Sequence, residues 1–160
     1  MKYFTIQELT KSATAQRKGI KNLPDTTITQ NLTALIDNVL DPLREAYGAP
    51  IIVTSGYRCE KLNKVVGGAA SSQHVKGQAA DIRSVRDSRD QNKRLFDLIR
   101  ELKLPFDQLI NEYDYIYQDP ERYRNMTDDE RDIVSCIGCI SALGEIVVIM
   151  ALICAAALFS

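Results

Sequence analysis

The chain has 160 residues, 45% of them hydrophobic, which is enough for one domain with a core of its own. Lys plus Arg number 20 against 21 Asp plus Glu, for a formal charge of -1, and no basic stripe is interleaved with aromatics, so nucleic-acid binding is not expected. The start, "MKYFTIQELTKSATAQRKGIKNLPD", has neither the apolar run nor the small-residue cleavage site of a secretory signal, so the N-terminus is expected to be mature and folded.

Leu32, Leu35, Ile36, Val39, Leu40 and Leu43 fall on one face of a helix, with polar residues opposite, and Gly48 and Pro50 end it. The β-branched run "IIVTS" between Pro50 and Gly56 predicts a short buried strand. The turn "SGYR" then leads into a short helix, "CEKLNKVV", stopped by Gly67 and Gly68. A loop rich in Ser, Gly and Ala runs from Ala69 to Gln78 and delivers the chain into a second strand, "AADIR".

Ser88 with Gln91 three residues on has the spacing of a capping box, followed by an apolar stripe of Leu95, Leu98, Ile99 and Leu102. Pro105 ends that helix, and "FDQLINEY" is expected as a third strand. Helix and strand thus alternate up to Tyr113, which predicts an α+β domain with a small sheet carrying helices on one side.

Residues 114–132 are charged and lack apolar periodicity, so they are expected to form a linker. From Ile133 to Phe159 there is one charged residue, Glu145, in a span long enough to cross a bilayer, which predicts a transmembrane helix. The alternative is a buried core helix, but the segment has no polar face. Arg122, Arg124 and Arg131 precede it and favour keeping that side cytoplasmic. Cys136, Cys139 and Cys154 are read as small apolar residues of this span rather than a redox or metal pair, and Cys59 as a packing residue.

The chemistry concentrates in "SSQHVKGQAADI", residues 71–82, which hold the single histidine of the chain, His74, seven positions before Asp81. An imidazole nitrogen and a carboxylate oxygen are donor types that zinc prefers, and small residues between them keep the loop thin enough for the two to converge. Ser72 can hydrogen-bond within the loop or orient a ligand.

This pattern, with "NLTALIDNVLDPLREAYGAPIIVTSGYR" before it and "FDQLINEY" after it, resembles the zinc D-alanyl-D-alanine carboxypeptidases and L-alanyl-D-glutamate peptidases, over about residues 3–113. The resemblance implies the hedgehog/DD-peptidase fold, a bacterial or bacteriophage source, and zinc-dependent hydrolysis of peptidoglycan stem peptides. It implies His74 and Asp81 as zinc ligands, and Arg58 beside the metal, pairing with a substrate carboxylate or the developing oxyanion. Ser72 is added to the substrate-binding set, and Glu112 is the implied general base.

In that family the third ligand is a histidine in a Trp-x-His segment just beyond the glutamate. Here the chain continues "EYDYIYQDPERY", and the sequence contains no tryptophan and no second histidine. Gln118 stands near the expected place, and Asp114 or Asp119 could supply an oxygen instead. The expectation is therefore a peptidase domain truncated at its last strand and joined to a linker and a membrane helix. The alternative is a catalytically inactive, membrane-anchored remnant or a cell-wall-peptide-binding module, as in a phage lysis-related fusion, and "MTDDERDIVSCIGCISALGEIVVIM", beginning at Met126, resembles the start of a small membrane protein.

Overall fold

The computed structural model describes residues 1–86, 88–111 and 146–149. Two short helices come first, α1 (Ile6–Thr10) and α2 (Ala13–Lys18), each opened by a hydroxyl that accepts a backbone N–H: Thr5 from Glu8 and Ser12 from Ala15. Neither has the length to produce an apolar period, so they escape a reading based on periodicity.

The predicted amphipathic helix starts earlier than its apolar stripe, because Asp25 caps α3 (Thr26–Leu35) through the Ile28 N–H. It continues through a π-helical turn (Ile36–Leu40) into α4 (Asp41–Tyr47). Pro42 explains the widened turn. It has no N–H, and its ring would strike the carbonyl four residues back in a regular helix, whereas here the Asp41 N–H bonds five residues back to Ile36. All six stripe residues are fully buried, each contributing about 1.5–3 kcal/mol of apolar transfer before entropy is counted.

Asp41 fastens the start of the chain to this helix. Its carboxylate accepts backbone N–H groups from Lys2, from Tyr3 at 2.9 Å and from Phe4 at 3.2 Å. Burial pushes the Asp41 pKa up, but the three N–H donors outweigh it and hold the carboxyl below its ordinary value.

Strand β1 (Ile51–Ser55) pairs antiparallel with β2 (Ala79–Ser84), and between them the chain forms α5 (Glu60–Val65) and the loop that carries His74. Helix α6 (Arg89–Glu101) packs its Leu95, Leu98 and Ile99 into the core beside Ala80 and Ile82. Leu102, expected on the same stripe, falls after the last helical residue and is exposed. The capping box is half made: Ser88 accepts from the Gln91 N–H, but the Gln91 side chain accepts from the Tyr47 hydroxyl at 2.7 Å instead of reaching back.

Strand β3 (Gln108–Asn111) was expected; its partner was not. Residues Ile146–Ile149, inside the predicted transmembrane helix, form β4, and the antiparallel sheet has the order β1-β2-β4-β3. Two expectations are corrected. The domain is not truncated at its last strand, because β4 fills the position between β2 and β3. No helix among the described residues is long and apolar enough to cross a membrane, and "IVVI" within the predicted span is strand. The physical reason is that a short β-branched apolar run satisfies a fully paired internal strand as well as it satisfies lipid. The expected linker, residues 114–132, and the rest of the apolar segment with its three cysteines lie outside the described residues.

Candidate metal and peptide site

His74 and Asp81 reach one point from different elements. Ser72 to Gly77 wind through consecutive turns: the Ser72 carbonyl accepts the Val75 N–H, that of His74 the Gly77 N–H, and the Ser72 hydroxyl the His74 N–H at 3.3 Å. Gly77 is left-handed with φ of 69°, and a Cβ there would meet the Ile28 side chain at 2.9 Å, so glycine lets the loop lie against α3. Asp81 sits in β2 between Ala80 and Ile82, which join the core, so the period of two turns its carboxylate to the opposite face.

Three contacts define the centre. His74 Nδ1 lies 2.7 Å from the Gly56 carbonyl, which can only accept, so Nδ1 carries a proton and Nε2 is the ring nitrogen turned toward the centre. That Nε2 faces Asp81 Oδ1 at 3.2 Å, and Asp81 Oδ2 lies 3.9 Å from Arg58 Nη2. All three side chains are buried. Nε2 and Oδ1 have no hydrogen-bond partner, and they do not meet each other as a hydrogen bond.

Two electron-pair donors that face each other at this distance, out of contact with water, need a positive charge between them. Their spacing also suits a metal. Two ligands at about 2.0–2.2 Å from a tetrahedral zinc stand roughly 3.4 Å apart. The carbonyl on Nδ1 is the outer-shell partner that fixes the tautomer of a metal-binding histidine. The pair therefore fits zinc, but as two donors where a catalytic zinc takes three, and no third His, Cys, Asp or Glu joins them among the described residues. Glu112, Asp114, Gln118 and Asp119 lie outside the described residues.

The centre opens into a cleft of about 540 Å³ whose lining includes Glu8, Lys11, Thr54, Ser55, Arg58 and Asp81. One wall is the junction of α1 and α2; the other is β1, an edge strand of the sheet. Cys59 opens α5 and packs partly buried against the core, as its sequence setting suggests.

Sequence reasoning missed Gly56. Its carbonyl orients His74, and a Cβ at this residue would lie 2.2 Å from the Leu9 carbonyl, closer than any side chain tolerates. A glycine directly after a strand, two residues before an arginine, is the signal that could have found it. Asn22, in the connection between α2 and α3, was also missed.

Comparison with curated proteins gives no match. The model of the family described as Peptidase M15 matches residues 2–114, the same stretch that carries the described helices, the first three strands, His74 and Asp81. With most of its length inside that match, the chain belongs to the peptidase M15 family.

Proposed function

We propose that this is a zinc metallopeptidase-type domain directed at peptidoglycan stem peptides, with His74 and Asp81 as two of the metal ligands and Arg58 as the group that receives a substrate carboxylate. The observation that carries it is the buried pair of Nε2 and Oδ1 at 3.2 Å, neither with a hydrogen-bond partner. Zinc bound there would polarise a peptide carbonyl and acidify water.

The chain's own residues do the rest. Gly56 keeps the proton on His74 Nδ1, the Ser72 hydroxyl holds the loop backbone at His74, and Arg58 places a fixed positive charge beside the aspartate. The cleft along β1 suits an extended peptide, whose carboxylate would meet Arg58 at its buried end. Glu112 is proposed as the general base on the family resemblance alone.

The missing second histidine favours a second reading, in which the same groove binds stem peptides without cleaving them. Zinc stoichiometry on the full chain, followed by turnover of a stem peptide, separates the two. The hydrolase reading expects one zinc per chain, none in His74→Ala or Asp81→Ala, and cleavage that a chelator stops. Peptide binding with no zinc at saturating metal gives the second reading, and absence of both zinc and peptide binding overturns the proposal.

A further inference from the structure

Asn22 uses both ends of its side-chain amide, in three hydrogen bonds to the backbone. Its Nδ2 donates to the Thr10 carbonyl at 2.9 Å and to the Tyr57 carbonyl at 2.8 Å, while its Oδ1 accepts the Cys59 N–H at 2.7 Å. Two carbonyls on the nitrogen and one N–H on the oxygen leave a single orientation of the carboxamide.

The partners matter because of what lies between them. Tyr57 and Cys59 flank Arg58, so the Asn22 amide grips the chain on both sides of that residue. The backbone of Arg58 itself is held on a third side, by donation from its N–H to the His74 carbonyl at 3.2 Å. Thr10 ends α1, whose preceding carbonyl, Leu9, accepts the Tyr57 N–H at 2.7 Å. The last carbonyls of a helix have no partner within it, and here they are used to seat the Arg58 turn.

We propose that Asn22 is the positioning residue for Arg58: it fixes the turn from which the guanidinium reaches Asp81, and so sets the cleft's preference for peptides that end in a free carboxylate. This rests on the peptide-binding reading above. An asparagine is needed because aspartate has no donors for two carbonyls and would set its charge against both, while alanine would leave three backbone groups without their partner.

The test uses the full chain with Asn22→Ala, Asn22→Asp and Arg58→Ala. One readout is the solvent-exchange rate of the Arg58 side-chain Nε–H by NMR; the other is the affinity for a stem peptide with a free C-terminal carboxylate against the same peptide as its amide. Asn22→Ala should speed the exchange and reduce the carboxylate preference by about tenfold, with the amide peptide bound as before. Asn22→Asp, which keeps the acceptor for Cys59 but loses both donors, should also speed the exchange and lower the preference, and it carries the test if the alanine variant does not fold. Adding Asn22→Ala to Arg58→Ala should reduce the preference no further. A variant that melts earlier yet keeps both the Arg58 exchange rate and the carboxylate preference overturns the assignment. If the native chain has no carboxylate preference while Asn22→Ala still speeds the Arg58 exchange, the peptide reading falls and the positioning role of Asn22 stands.

Discussion

The two halves of the sheet are built on different terms. Strands β1 and β2 come from one stretch of 34 residues, Ile51 to Ser84, and their register slips between Val53 and Ser55, so that Ser55 rather than Thr54 stands across from Asp81. Strands β3 and β4 come from distant parts of the chain and pair without a slip. The irregular half carries the chemistry. A bulge bends and twists the strand that contains it, and here it turns the chain out of β1 into Gly56 and Arg58, toward the aspartate of the neighbouring strand. The regular half contributes paired backbone, which closes the sheet and supports β2 from its other side.

This contrast can be tested at several strengths. The strongest test removes residues 133–160, and β4 with them. The facing edges of β2 and β3 would lose their partner, and the loss should reach about 5 kcal/mol or more, enough to abolish a cooperative urea transition in a small domain. A cooperative transition of unchanged midpoint would mean that β4 does not belong to the folding unit.

Next in size is Gly56→Ala, which strikes the irregular half. Relief of the 2.2 Å approach of the added Cβ to the Leu9 carbonyl should cost about 1–3 kcal/mol by denaturant titration, and weaken metal binding by displacing the residue-56 carbonyl from His74. Unaltered zinc affinity together with unaltered stability would show that the turn relaxes freely.

Asp41→Asn acts outside both halves and should cost about 1–2 kcal/mol near neutral pH. The sign of its pH dependence follows from the lowered pKa. The carboxylate stabilises the folded chain above the unfolded value of 3.8, and the contribution fades as pH falls through the lower folded value. Native and variant stabilities should therefore converge in acid, and a gap that stays constant to the lowest pH would contradict this. The smallest effect, about 0.5–1.5 kcal/mol, is expected for Thr54→Val, which removes the hydroxyl that donates to the Asp81 carbonyl at 3.1 Å across the slipped register.

The sequence was legible wherever a period or a motif ran long enough. The stripe from Leu32 to Leu43, the run "IIVTS" and the strand through Asp81 all appear where their patterns place them. The pairing of His74 with Asp81 was legible too, as a spacing. Three things were hidden. The helices at Ile6–Thr10 and Ala13–Lys18 are opened by caps and are too short to show a repeating stripe, although Leu9 reaches the core. Asn22 works entirely through backbone groups brought in from residues 10, 57 and 59, which no local pattern announces. Residues 146–149 misled because hydropathy measures how readily a segment leaves water, not whether it leaves for lipid or for the middle of a sheet.

That central strand has a consequence for how such a domain can change over generations. In the register Val147 stands across from Asp81, and what holds it there is amide and carbonyl, common to every residue but proline. The architecture at these four positions is thus carried by backbone atoms, the part of the chain that substitution changes least. A lineage can rewrite "IVVI" as another extended run without proline and keep its shape, because the ladder asks only for groups that the main chain supplies.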